Sequence, residues 1–257
     1  MTVFPEGWDS EARLTGRWVE RRPRRPEVAA RLRTETRLLP WLAPRLPLTV
    51  PVPEPVPGEP HAVRHLLVPG TPLDGPTAAD GRRLGDFLRA LHTADTATAV
   101  RHGVPDADAV RAERTAETGD FRTRVLPLLP AALRGPAAEL LDAVPPLPAD
   151  TLVHGDLGPE HLLADGGHLT GVIDFGDAHI GDPAVDLAWA LHTAPGAFAD
   201  GLAARYPLTP RLRARALLWH RLGPWYEVTH GLDTGDEDTV ASGLAGVRDR
   251  LGPPVPR

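Results

Sequence analysis

The chain reads as an α+β protein built in two lobes, a small β-rich lobe followed by a larger, mostly helical one. Three observations predict this. Strand-like alternation is concentrated before about residue 70, a proline-dense stretch follows the first helical stripe, and the remainder carries helical spacing interrupted by two short strands that each run into an aspartate.

Taken in order, Ala12 to Arg25 reads as a hairpin: Leu14 closes one strand, Thr15-Gly16 turns, and Trp18-Val19-Glu20-Arg21 opens the next, with Val19 and Arg21 on one face. Pro26 suits the first position of a helix, and Val28, Leu32 and Leu39 mark a stripe that Pro40 is expected to close. Glu35 falls in that stripe. A carboxylate on the buried side of a helix needs a cation nearby, because desolvation alone destabilises its charged form, and Arg21 on the neighbouring strand is the candidate. Arg31, Arg33 and Arg37 are assigned to the wet side of the same helix.

Eight prolines between Pro40 and Pro60 make that stretch an extended edge segment or connector, never a central strand. Val63 to Val68 is a short apolar strand stopped by Pro69-Gly70, and the cleft between the lobes is expected near residues 63 to 70. The lobes are therefore drawn as residues 1–68 and 69–257. Thr77 with Asp80 caps a helix whose buried stripe is Leu84, Phe87, Leu88 and Leu91. Strands follow at Thr151 to Val153 and Thr170 to Ile173. Asp182-Pro183 opens a helix through Leu191, Thr209-Pro210 opens another, and Val240, Leu244, Val247 and Leu251 mark a last one.

Composition limits the chemistry. With 257 residues, 42% of them hydrophobic, the chain can bury a large core. No apolar run approaches the eighteen or so residues that span a bilayer, and Met1 to Glu6 has neither a basic nor an apolar leader segment, so a soluble, cytoplasmic protein with no membrane partner is expected. There is no cysteine, which excludes disulfides and thiolate metal sites. A net charge of −6 argues against nucleic acid as a partner and suits a cationic small molecule. The sequence also lacks Lys, Asn and Gln, as biased base composition would produce, so roles usually filled by those residues must be filled by others.

The most informative stretch is Val153-His154-Gly155-Asp156-Leu157-Gly158-Pro159-Glu160-His161, followed by Asp174-Phe175-Gly176. Phosphoryl transfer needs a carboxylate to orient the attacking hydroxyl, a divalent metal to neutralise phosphate charge and a cation on the phosphates. In the kinase pattern the orienting Asp precedes a metal ligand by five positions, and a separate Asp-Phe-Gly supplies the second ligand. Asp156, His161 and Asp174 stand at those positions. Taken one at a time, Asp156 reads as an ordinary loop cap, His154 as a core imidazole, and Asp177 and Asp182 as turn and cap residues.

On these segments, together with Gly171-Val172-Ile173 and Gly181-Asp182-Pro183-Ala184-Val185-Asp186-Leu187-Ala188, the chain resembles the aminoglycoside phosphotransferase family, small-molecule kinases of protein-kinase-like fold. A weaker likeness covers Gly7-Trp8-Asp9 and Trp18 to Pro40. The resemblance implies that Asp156 orients the acceptor hydroxyl and takes its proton, and that His161 and Asp174 hold magnesium. His161 stands where most of the family has Asn, as it does in the aminoglycoside 2''- and macrolide 2'-phosphotransferases. It further implies that Arg21 takes the place of the phosphate-pairing Lys held by Glu35, that backbone of Arg64, His65, Leu66 and Leu67 meets the nucleotide base, and that Asp186 braces the catalytic loop. ATP or GTP would be the donor and a small-molecule hydroxyl the acceptor.

Two departures stand out: a guanidinium differs from an ammonium in bulk and fork geometry, and only Gly7 and Gly16 precede residue 58 to form a loop over the phosphates. The acidic run Asp233, Asp236, Glu237 and Asp238, with Glu227 beside Trp225 and Tyr226, is either a solvated loop or a receptor for acceptor ammonium groups. Three other readings stay open: a kinase for peptide Ser or Thr, a nucleotide-binding protein that has lost catalysis, and a hydrolytic metal centre of His154, Asp156, His161 and Asp174.

Overall fold

A computed structural model describes residues 2–3 and 10–251, without the side chains of the first two or of residue 60. The expectations for Gly7, Trp8 and Asp9 lie outside the described residues. The first lobe is a five-stranded antiparallel sheet in the order β1 (Thr2–Val3), β2 (Ser10–Thr15), β3 (Trp18–Pro23), β5 (Glu59–Leu66) and β4 (Glu54–Val56). Thr15 pairs with Trp18, closing the expected hairpin, and Gly16 turns it at a φ of 63° in the left-handed region where glycine is unstrained. The proline-rich segment supplies the edge strand β4, where missing N–H groups interrupt no central ladder. β5 begins at Glu59, four residues earlier than the apolar pattern suggested, because its outer half is polar and pairs with β4.

Helix α1 (Pro26–Leu42) starts at the expected proline but runs two residues past Pro40. Leu38, Leu39 and Leu42 are fully buried among helical-lobe residues. Burying a leucine is worth about 2 kcal/mol, enough to offset a missing bond in the last turn. The helix thus belongs to both lobes: Val28 and Leu32 pack on Val63 of the sheet, and its other end enters the main core. Arg31, Arg33 and Arg37 are exposed on the wet side of this helix as expected, and two of them also make contacts there. Arg31 pairs with Asp177 at 2.7 Å, and Arg37 donates to the carbonyl of His102.

In the second lobe, β6 (Thr71–Pro72) leads into α2 (Ala78–His92), where Thr77 and Asp80 form the expected reciprocal cap and Leu84, Phe87, Leu88 and Leu91 are fully buried. Helices α3 (Thr96–Arg101), α4 (Ala107–Arg124) and α5 (Ala131–Ala143) precede the strands β7 (Thr151–Val153), β8 (Leu162–Asp165), β9 (His168–Val172) and β10 (His179–Gly181). β7 pairs with β10, and β8 lies between β6 and β9. Only β7 and β9 were expected; the other three are too short and too weakly patterned to stand out. The connector is stitched to β9 by Thr49 N–H to Thr170 O and Val172 N–H to Thr49 O.

The chain finishes with α6 (Ala188–His192), α7 (Gly196–Ala203), α8 (Pro210–Thr234) and α9 (Glu237–Leu251). After Asp182 the chain makes a short 3-10 turn at Val185–Leu187 and only then α6, where one helix was expected. Thr209 caps α8 as expected. A second cluster of Phe121, Leu140, Leu222, Trp225 and Val247 packs α4, α5, α8 and α9 together. Trp225 is therefore core and receives no ligand. Asp233 pairs with Arg124, and Asp236 caps α9, so this acidic run serves local structure. No helix among the described residues is long and apolar enough to cross a membrane.

Candidate active site

Asp156 lies three residues beyond β7 on a loop fixed from below. The buried carboxylate of Asp186 accepts the backbone N–H of His154 at 2.8 Å and of Gly155 at 2.9 Å, and takes a third bond from His92 Nε2 at 3.0 Å. Burial opposes ionisation of Asp186, but the bond and charge of His92 outweigh it and hold its pKa below the ordinary value. Behind His92, Nδ1 meets the Tyr206 hydroxyl at 2.7 Å. Gly155 has a φ of 90°, and a Cβ there would fall 2.4 Å from the carbonyl oxygen of Asp177. Only glycine fits this turn.

His154 is fully buried. Its Nε2–H donates to Ile173 O at 3.0 Å and its ring packs on Phe175, so it is the structural histidine expected. The Asp156 side chain, by contrast, is 62% exposed into the cleft. His161 turns Nδ1 to the carbonyl oxygen of Asp156 at 2.6 Å. A carbonyl only accepts, so Nδ1 carries the proton and Nε2 keeps a lone pair. That Nε2 lies 4.0 Å from Asp174 Oδ2. The lone pair and the carboxylate thus face one gap, and these are the two groups that would hold a magnesium ion there together with phosphate oxygens and water.

Asp174, two residues beyond β9, has a φ of 65°, the one positive φ of a non-glycine among the described residues. Such a backbone costs about 1–3 kcal/mol and is found where geometry is enforced for function. Burial would raise its pKa, but Arg21 and then His161 outweigh it and keep the carboxylate below its ordinary range. Arg21 spans the cleft: Nη1 meets both oxygens of Glu35 at 2.9 and 3.1 Å, Nη2 meets Asp174 Oδ1 at 3.3 Å, and Nε reaches Ser10 Oγ. Burial pushes Glu35 up to about 7 despite Arg21. The expected strand-to-helix pair is therefore present and joined to Asp174.

Of the residues expected to meet a base, Arg64 and Leu66 lie opposite Glu20 and Trp18 of β3, while Leu67 N–H is given to Arg17 O at 2.9 Å. The Arg64 guanidinium lies over Trp18 and bonds Glu54, away from the cleft. Beside Asp156 opens a cavity of about 1040 Å³ whose walls include Glu113, Glu117, Glu160, Glu227, Trp219 and Tyr226. Asp182 exceeds its expected role: besides capping, it is fully buried against Arg215 and Trp219. Both ring nitrogens of His154 are engaged, Nε2 with Ile173 O and Nδ1 with the Asp156 N–H, so it does not join Asp156, His161 and Asp174 as a fourth ligand. Sequence reasoning missed His92, Tyr206 and Arg215. The one signal for His92 was a polar residue ending the buried stripe of α2.

A sheet lobe, a helical lobe, and paired aspartates between them define a kinase-like fold with a phosphoryl-transfer type of site. The chain belongs to the phosphotransferase enzyme family APH, whose model matches residues 1–217. It is 37% identical over 134 residues to viomycin phosphotransferase of Streptomyces vinaceus, covering 47% of this chain and 46% of the relative. It is 30% identical over 191 residues to the uncharacterized protein YcbJ of Bacillus subtilis (strain 168), covering 66% and 61%. The chain thus spans about half to three-fifths of these curated relatives' lengths. Among solved structures, the GDP and kanamycin complex of APH(2")-IIia superposes with a TM-score of 0.85 at 26% identity, over 97% of this chain and 92% of that one. The macrolide 2'-phosphotransferase MphH from Brachybacterium faecium gives 0.75 at 27% identity, over 99% and 92%.

Proposed function

We propose that the protein transfers the γ-phosphoryl group of ATP or GTP to a hydroxyl of an amine-bearing small molecule, an antibiotic or related natural product. The observation that carries this is the meeting of Asp156, His161 and Asp174 beside a carboxylate-walled cavity, with Arg21 on the same aspartate. Asp156, exposed in the cavity, orients the acceptor hydroxyl and takes its proton. Arg21, steadied by Glu35, offers its remaining donor capacity to the phosphates. His161 Nε2 and Asp174 would hold magnesium, which when bound neutralises charge on the phosphates.

The base lies along residues 64 to 67, between a nucleotide lobe drawn as residues 1–68 and an acceptor lobe drawn as 69–257. Glu113, Glu117 and Glu227, with the face of Tyr226, attract ammonium groups of the acceptor. Dependence on a nucleotide donor makes the cytoplasm the compartment we assign, and neither nucleic acid nor membrane is required.

The test incubates the protein with magnesium, each nucleotide and a panel of amine-bearing antibiotics, and reads the product by mass. Wild type should add one phosphoryl group to at least one acceptor, and Asp156→Ala should bind nucleotide yet yield no product. Arg21 in the ammonium's place favours a second reading, a nucleotide-binding protein without transfer; stabilisation by nucleotide with no product across the panel would select it.

A further inference from the structure

We propose that His65 makes the nucleotide site select adenine over guanine, by presenting an unprotonated imidazole nitrogen to the 6-position of the purine. This rests on the phosphotransferase reading and on the base lying along residues 64 to 67. His65 is on β5, opposite Val19 of β3 and two residues from Val63, which lies opposite Arg21. These four share a face. Val63 packs under α1, and Arg21 reaches from the same face to Asp174, so His65 lies on the cleft side, next to the connection into the helical lobe. It is only 7% exposed.

Its Nδ1 lies 2.8 Å from the carbonyl oxygen of Leu66. The carbonyl accepts, so the proton is on Nδ1. Burial lowers the imidazole's pKa, the Leu66 bond opposes this, and the nearby Arg21 charge adds to the lowering. A neutral ring with its proton on Nδ1 leaves a lone pair on Nε2, and Nε2 has no hydrogen-bond partner among the described residues. Nε2 is not sealed from solvent, so a ligand bringing an N–H can reach this lone pair.

Adenine carries an amino group at position 6, and guanine an oxygen. Guanine would therefore set lone pair against lone pair. The nearby backbone N–H of Leu67 offers no relief, since it is already given to Arg17 O at 2.9 Å. This choice runs opposite to the guanine nucleotide bound in the similar APH(2")-IIia.

Calorimetric titration with ADP and with GDP, in magnesium, tests it on wild type, His65→Gln and His65→Leu, each checked for folding by thermal melting. Wild type should bind ADP about tenfold or more tighter than GDP, the worth of one such mismatch. In His65→Gln, whose amide can turn a donor to guanine, and in His65→Leu, the gap should close to roughly threefold or less. Equal affinities or a GDP preference in wild type overturns the inference, as does a gap that persists in both variants, and the phosphotransferase reading survives either result. Binding of neither nucleotide by wild type overturns both.

Discussion

His161 donates through Nδ1 to the carbonyl oxygen of Asp156 at 2.6 Å, so the backbone of the loop that carries Asp156 decides which nitrogen His161 turns toward Asp174. One hydrogen bond thereby couples the Asp156 loop to the ring nitrogen that faces Asp174.

If that lone pair is a ligand, His161→Ala should raise the magnesium concentration for half-maximal activity by about tenfold or more. Metal-free nucleotide binding should change little. An unaltered magnesium dependence in this variant would remove His161 from the metal site.

Glu35 is held at about 7 against an ordinary 4.5, because its burial outweighs the attraction of Arg21. The folded protein then binds this proton more tightly than the unfolded chain does. The contribution to stability is complete below pH 4.5 and is lost as pH rises through about 7. Glu35→Gln should remove that loss, worth about 3 kcal/mol. Urea midpoints of both proteins at pH 5 and pH 8 check it; parallel changes would show that Glu35 titrates normally.

At Gly155 the φ of 90° and the nearby Asp177 carbonyl leave no room for a side chain. Gly155→Ala should destabilise the fold by about 2 kcal/mol or more, through strain and a displaced loop. Denaturant unfolding measures this, and a cost under about 0.5 kcal/mol, the size of ordinary surface changes, would mean the loop relaxes freely.

The chain Tyr206, His92, Asp186 ends on the backbone of His154 and Gly155. His92→Leu removes a donor from a fully buried carboxylate, at a cost of about 1–3 kcal/mol. Because the loop carries Asp156, kcat should fall while KM for both substrates holds. Tyr206→Phe, which leaves the His92 to Asp186 bond in place, should cost about 1 kcal/mol. A rise in KM with kcat unchanged in His92→Leu would place the chain's influence elsewhere.

Much of the fold was legible where local rules are strong. The Thr77 to Asp80 cap, the turn at Gly16 and the proline start of α1 follow from a few neighbouring residues. So did the pairing of Arg21 with Glu35, because a carboxylate in an apolar stripe demands a cation. The end of α1 was misjudged because Pro40 is a local signal and Leu42 answers to a core that draws in residues from Leu48 to Ala216. Trp225 beside Tyr226 and Glu227 looked like a ligand surface, yet helix rotation puts Trp225 in the core while its two neighbours line the cavity.

By itself the sequence determined the order of elements, the two strand exits that carry Asp156 and Asp174, and the spacing of His161 between them, since caps, turns and hydrophobic period act over a few residues. Tertiary structure alone decided which nitrogen of His161 and of His65 is bare, that Arg21 touches both Glu35 and Asp174, and that His92 and Tyr206 stand behind Asp186. Each of these depends on a hydrogen-bond partner or an enclosure brought together by packing, and neither a proton's position nor burial is encoded in the spacing of residues along a chain.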